Sequence, residues 1–206
     1  MKLVIATHNK DKLKELFNAF KVDDLDVDLL SLDDFPDISE IEETGSTLTE
    51  NALIKAREVH SITKLPTISD DTGLEVDALH GKPGVYTARY AGENCSYYDN
   101  INKLLHDLEK VPMPNRTAKF KTIIAFVDKD CEFTAEGIAE GIILRTMIGD
   151  NGFGYDPVFF IPNEKKTFAE MTIDEKELHS HRGKAIKQMI ATLIPHINNS
   201  IHKEIA

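Results

Sequence analysis

Asp70 and Asp71 stand side by side in SDDTG, Ser69 to Gly73, between an apolar run ending at Ile68 and the segment GLEVDALHGKPGVYTARYAG. Adjacent carboxylates where a strand gives way to a glycine turn let at least one acid project into a cleft, where it can hold a metal ion or a water. The glycines and Pro83 that follow suit tight turns, and Tyr86, Arg89 and Tyr90 supply aromatic and cationic groups. A solvated turn is the competing reading of the acid pair, so its chemistry depends on the company it keeps.

Four further segments supply that company. THNKDK, Thr7 to Lys12, follows the opening apolar run and leads into a helix, a junction where backbone N–H groups, the helix dipole, Lys10 and Lys12 favour phosphate, with Asn9 as N-cap or ligand donor. It is neither a Walker A loop nor GxGxxG. IEETG, Ile41 to Gly45, places Glu42 and Glu43 before a capped helix; one of them beside Asp71 would make a hard-oxygen site suited to Mg²⁺. GDNGFGYDPVFF, Gly149 to Phe160, is a glycine loop in which Phe153 and Tyr155 can stack on a flat ring and Asp156 can orient a donor. KELHSHRGKA, Lys176 to Ala185, gathers Lys176, His179, His181, Arg182 and Lys184 at a helix start, where cations oppose the dipole and an anionic or keto-bearing ligand would compensate them. A His pair spaced i, i+2 is a poor metal site, since the two rings do not share a helix face.

The elements that must position these residues alternate between strands and helices. Lys2 to Ala6 reads as a buried strand, and Lys12 to Phe20 as a helix burying Leu13, Leu16, Phe17 and Phe20. Thr47 and Glu50 form a capping box for a helix through about Ile62 with Leu48, Ala52, Ala56 and Val59 inside. Ser96 opens a helix through about Lys110 with Ile101, Leu104, Leu105 and Leu108 on one face. Thr117 to Val127 and Glu132 to Leu144 read as an antiparallel hairpin across Asp128-Lys129-Asp130, Pro157 to Ile161 as a short strand, and His181 to about Asn198 as a closing helix burying Ile186, Met189, Ile190, Leu193 and Ile194, which Pro195 kinks or ends. The expectation is one α/β domain over residues 1–206 with a mixed sheet.

Charge and cysteine content narrow the function classes. The net charge of −11 is local: residues 15–50 hold 12 acids against the single base Lys21, and the rest of the chain carries 23 of each sign. That face disfavours nucleic acid without excluding a small phosphorylated ligand elsewhere. Cys95 and Cys131 form neither a CxxC pair nor a zinc-type His/Cys spacing, so neither a disulfide framework nor a structural zinc site is indicated, and a reducing cytoplasm fits. Leu3 to Ala6 is too short for a signal h-region, and no apolar run reaches ~18 residues, so neither export nor membrane insertion is expected.

Taken in order, ATHNKDKLKEL, EETG, ENALIKA, SDDTGLEVDAL, PGVYTARYAG, NGFGYDPVF and SHRGKA resemble the non-standard purine nucleoside triphosphate pyrophosphatases, the Ham1-like family of inosine/xanthosine triphosphate pyrophosphatases. The resemblance covers nearly the whole chain. It implies an elongated two-lobed α/β fold about a mixed sheet, a nucleotide cleft between the lobes, Mg²⁺ dependence, a homodimer, and hydrolysis of ITP, dITP and XTP to monophosphate and pyrophosphate. It also implies that Thr7, His8, Asn9, Lys10, Asp11 and Lys12 bind the triphosphate, Glu42 and Asp71 the metal, and Thr72 the substrate, with Asp71 as proton acceptor. Phe153, Gly154, Tyr155, Asp156, Lys176, His181 and Arg182 would hold base and sugar. His8 stands where the family's common TGN has glycine, and Asp11 where a glycine before the lysine is frequent. Donors from Arg182, His181 or Lys176 would pair with a 6-oxo group and be left unpaired by the 6-amino group of adenine, which separates inosine from adenosine but not from guanosine. The competing function classes are a nucleotide sensor without turnover and a broader phosphatase releasing orthophosphate.

Overall fold

The computed structural model describes residues 1–22 and 27–204. Its eight strands are β1 (Lys2–Ile5), β2 (Asp28–Ser31), β3 (Thr67–Val76), β4 (Pro83–Gly84), β5 (Thr117–Val127), β6 (Glu132–Ile143), β7 (Phe159–Ile161) and β8 (Lys166–Thr167). Five helices accompany them: α1 (Lys10–Val22), α2 (Leu48–Thr63), α3 (Tyr97–Asp107), α4 (Ile173–His179) and α5 (His181–Glu204). The sheet runs β2-β1-β3-β5-β6-β7-β8, with β4 on β3. It is mixed: β1 is parallel to both β2 and β3, whereas β3/β4, β6/β7 and β7/β8 are antiparallel. No helix among the described residues is long and apolar enough to cross a membrane.

The chain divides into two compact units, one of Met1–Asp71, Ile123–Gly137 and Gly183–Ala206, the other of Thr72–Thr122 and Ile138–Arg182. The first buries Leu3 and Ile5 of β1, Leu16 and Phe20 of α1, Phe126 of β5 and the Ala185, Ile186, Met189, Ile190 and Leu193 stripe of α5. A second apolar cluster in that unit joins Val4, Ala6, Leu32, Ile38 and Val59. The other unit is built on Leu74, Val76, Ile101, Leu104, Leu108, Phe120, Phe159 and Phe168. Burying the 3.6-period stripes of α1, α2, α3 and α5 is what fixes these helices.

The capping boxes at Thr47/Glu50 and Ser96/Asp99 are both present, and α3 ends at Asp107. Asp128 N–H donates to Cys131 O at 3.0 Å to close the β5–β6 hairpin. Of the acids between residues 15 and 50, Asp28, Asp33, Asp34, Asp37, Glu40, Glu42 and Glu50 are exposed, as a solvated face requires, while Asp23, Asp24 and Asp26 lie outside the described residues.

Three expectations are corrected. The strand at SDDTG does not end at a glycine turn; β3 runs on to Val76. Leu74 and Val76 are completely buried and Leu74 pairs with Gly84 of β4, so extending the strand gains apolar burial that a turn would forfeit. Ile194 is 38% exposed. It lies about 80° around the helix from Ile186, at the edge of the apolar stripe. Pro195 does not stop α5: the carbonyl it leaves without a helical partner belongs to exposed Ala191, where water can satisfy it.

Candidate active site

In the first unit, β1 delivers Thr7 and Asn9 to the start of α1. Thr7 Oγ1 accepts from Asn9 N–H at 3.2 Å, and Asn9 Oδ1 accepts from the N–H groups of Asp11 and Lys12 at 3.0 and 3.1 Å. Asn9 is therefore the helix cap, and its side chain takes two of the N–H donors that a phosphate could have used. His8, Lys10 and Asp11 are exposed around this turn, and Lys12 reaches inward to place Nζ 3.2 Å from Asp70 Oδ2.

Asp70 and Asp71 are 1% and 6% exposed within β3. A charge so placed needs a partner, and α2 provides one. Lys55 Nζ lies 3.7 Å from Asp71 Oδ1 and pairs with Glu43. Two contacts hold this arrangement. Ser69 Oγ donates to Ala52 O at 2.5 Å, tying β3 to α2, and Asn51 Oδ1 accepts from Gly45 N–H at 2.8 Å, tying the EETG segment to the same helix. A Cβ at Gly45 would stand 2.6 Å from Asn51 Oδ1, so only glycine permits that approach.

Burial raises the Asp71 pKa, with Lys55 and Lys12 pulling it down and Glu43 and Asp70 pushing it up; the net direction is upward. For Lys55, burial acts to lower the pKa, and Asp71, Glu43 and Asp70 outweigh it, so the ammonium is held above its ordinary value. The cluster thus contains a carboxylate that takes a proton more readily than a solvated one, next to a fixed positive charge.

The second unit carries a different cluster. Lys176 of α4 and Asp156 are 6% and 3% exposed, with Nζ 2.6 Å from Oδ2, and the same oxygen accepts from Phe153 N–H at 2.8 Å. Lys176 Nζ and Arg182 Cζ lie 4.7 and 5.5 Å from the centre of the half-buried Phe153 ring. Arg182, in the first turn of α5, donates from Nη2 to Thr72 Oγ1 at 3.1 Å, and Thr72 Oγ1 is 2.7 Å from Thr122 Oγ1. His181 stacks on Phe120 with centroids 4.5 Å apart. Gly152, at φ +74°, passes so close to Asp156 Oδ2 that a Cβ would be 2.0 Å away.

Thr72, Phe153, Asp156, Lys176, His181 and Arg182 are thus assembled in one unit, as Lys12 and Asp71 are in the other. Tyr155 departs from its expected stacking role: its ring is 4% exposed in the core of its unit, and its hydroxyl donates to Thr87 O at 3.0 Å. Of the two EETG acids, Glu43 meets Lys55, and Glu42 is exposed. His179 stands 3.4 Å from Glu164 and Lys184 is exposed.

Lys55 is the residue that motif reading missed. Its signal was available, since Leu48, Ala52, Lys55 and Val59 follow the i, i+4, i+7, i+11 spacing of the buried stripe of α2. A lysine on such a stripe requires a buried anion.

A mixed sheet carrying a buried carboxylate–lysine cluster in one unit and a buried cation–aromatic cluster in the other defines an α/β protein equipped for charged, ring-bearing ligands. The chain belongs to the Ham1 family, whose sequence model matches residues 3–192. It is 50% identical over 189 residues to the dITP/XTP pyrophosphatase of Thermoanaerobacter pseudethanolicus, covering 92% of this chain and 94% of that protein. It is also 50% identical over 186 residues to the dITP/XTP pyrophosphatase of Geobacter sulfurreducens, covering 90% of this chain and 92% of that one. Among solved structures, the Staphylococcus aureus Ham1 protein superposes with a TM-score of 0.85 at 39% identity, covering 95% of this chain and all of that one. A HAM1 protein from Coxiella burnetii gives 0.86 at 39% identity, covering 95% and 99%.

Proposed function

We propose that this protein hydrolyses non-standard purine nucleoside triphosphates, ITP, dITP and XTP, to the monophosphate and pyrophosphate, with residues 1–206 acting as one functional domain. The observation that carries the reading is the buried cluster in which Asp71 faces Lys55, with Asp70, Glu43 and Lys12 around it, in a chain half identical to proteins named dITP/XTP pyrophosphatases.

The roles follow from charge. Lys12 and Lys10 attract the triphosphate at the start of α1, with Thr7, His8, Asn9 and Asp11 lining the same turn. Asp71 accepts the proton of the water that attacks the α-phosphorus, and its raised affinity for protons suits that task. Lys55 keeps the resulting charge redistribution local. The donor set fits Mg²⁺: Asp71 with a glutamate of the EETG pair offers hard carboxylate oxygens, and substrate phosphate oxygens would complete the shell. When bound there, Mg²⁺ neutralises phosphate charge and stabilises the leaving pyrophosphate. Glu42, exposed on this segment, supplies the second carboxylate, and Glu43 beside it pairs with Lys55.

Phe153 offers a face to the purine, and Lys176, His181 and Arg182 offer donors to its 6-oxo edge, with Gly154 and Asp156 shaping the loop. Arg182 bonds Thr72, so the cluster that reads the base also holds the threonine expected to contact the substrate. The protein acts in the cytoplasm as a homodimer on this reading.

Product analysis tests it. With Mg²⁺ and a panel of triphosphates, chromatography should show ITP, dITP and XTP converted to monophosphate and pyrophosphate, and the conversion should stop when the metal is chelated. Diphosphate with orthophosphate would indicate a broader phosphatase, and tight nucleotide binding without turnover a sensor; either result would overturn the proposal.

A further inference from the structure

Away from the carboxylate–lysine cluster, the hairpin between β5 and β6 and the later part of α5 bring together Asp128, Cys131 and His196, residues up to 68 positions apart. One ligand atom from each lies within 4.8 Å of the others. Cys131 Sγ is 3.8 Å from each nitrogen of the His196 ring, and Asp128 Oδ2 is 2.6 Å from His196 Nε2. The geometry points to a binding site for one divalent transition-metal ion of zinc type, held by Asp128 Oδ2, Cys131 Sγ and His196 Nε2.

The chemistry of the three groups supports it. Thiolate, imidazole and carboxylate are the ligands zinc takes, and three protein ligands with a fourth position open to water is a common arrangement. Zinc–sulfur and zinc–nitrogen bonds of ~2.3 and ~2.0 Å at a tetrahedral angle put S and N about 3.5 Å apart. A sulfur equidistant from both ring nitrogens lies off the Nε2 lone-pair direction, so coordination requires the Cys131 side chain to swing Sγ by roughly 2 Å towards the Nε2 edge, while the Asp128–His196 contact opens by less than about 1 Å as the ion replaces the proton between them.

The scaffold holds Asp128 and His196 in place. Asp128 Oδ1 accepts from the N–H groups of Asp130 and Cys131, both at 2.8 Å, which fixes that carboxylate with Oδ2 towards His196. The His196 ring packs edge-on against Phe126 and Phe133, with centroids 5.5 and 6.3 Å away. Ordered supporting contacts of this kind are what orient metal ligands. Access is retained, since the His196 and Asp128 side chains are 24% and 10% exposed. Coordination converts the Cys131 thiol to thiolate, its proton passing to solvent, the proton displaced from His196 Nε2 is taken up at Nδ1, and the ion then clamps the hairpin tip to α5. The sequence hid this site because its ligands are set by the packing of α5 on the hairpin and not by a local Cys/His spacing.

Cobalt is the spectroscopic probe and zinc the competitor, with Mg²⁺ present in excess to occupy hard-oxygen sites. The full chain should bind one Co²⁺ with a thiolate-to-cobalt charge-transfer band, which equimolar Zn²⁺ abolishes. Cys131→Ser and His196→Asn should each remove the band and weaken Zn²⁺ binding at least tenfold, whereas Cys95→Ser should keep it. A measurement on the parent protein covers variants that fail to fold: equimolar Zn²⁺ should slow alkylation of Cys131 at least about tenfold and leave Cys95 unaffected. Absence of the band in the parent, its survival in Cys131→Ser, its loss in Cys95→Ser, or unchanged alkylation of Cys131 would each overturn the site.

Discussion

In the first unit two lysines, Lys12 and Lys55, are set among three carboxylates, Glu43, Asp70 and Asp71, whereas in the second a single buried carboxylate, Asp156, holds Lys176 beside Arg182 and the ring of Phe153. The acid-rich cluster is short of positive charge and suits a cation carried in with a phosphate chain. The cation-rich cluster presents donors and an aromatic face, which suit a flat base with a keto group. Both use burial to strengthen charge interactions that water would screen, and they differ in the sign of what they lack.

The largest effect that could break this comparison is on stability. Lys176→Met leaves Asp156 buried without its ammonium and should cost about 3–5 kcal/mol, read from urea unfolding. Adding Asp156→Asn removes the stranded charge and should recover much of that loss. A Lys176→Met protein as stable as the parent would show that the second cluster is not held by a buried ion pair.

Asp71→Asn comes next. The change is nearly isosteric and removes the proton acceptor and metal ligand, so kcat should fall at least ~10²-fold for every triphosphate while the fold survives. Activity within a few-fold of the parent would reduce Asp71 to a strand residue.

The third effect sharpens the other side. Arg182→Ala should raise the barrier for ITP by roughly 1.5–3 kcal/mol, the usual worth of a hydrogen bond to a charged donor, measured through kcat/KM. The smallest is Thr47→Ala, which removes the cap of α2, the helix that carries Lys55, and should cost about 1 kcal/mol of stability without altering the preference among bases.

Much of this frame was legible in local sequence, and the exceptions share a physical cause. The boxes at Thr47 and Ser96 could be read because a cap and its partner are three residues apart, and the stripes of α1 and α3 because their period is helical. SDDTG was misread as a strand end because two aspartates and a glycine are turn formers by propensity; tertiary burial of Leu74 and Val76, with Lys12 and Lys55 arriving from α1 and α2, overrides that preference. Tyr155 looked like a stacking residue beside glycines, but the chain turns its ring into the core and Phe153 outward to the cations. The strands β2, β4 and β8 are two to four residues long and too short to show alternation.

The central claim is that one cluster does the chemistry and the other reads the base. It is tested most directly by the ratio of kcat/KM for ITP over ATP in the parent, Asp71→Asn and Arg182→Ala. The account predicts that Asp71→Asn lowers both values alike and leaves the ratio unmoved, while Arg182→Ala lowers the ratio about tenfold or more, since each ~1.4 kcal/mol is a factor of ten. A ratio unchanged in Arg182→Ala, with both substrates equally impaired, would place Arg182 on phosphate and contradict the division.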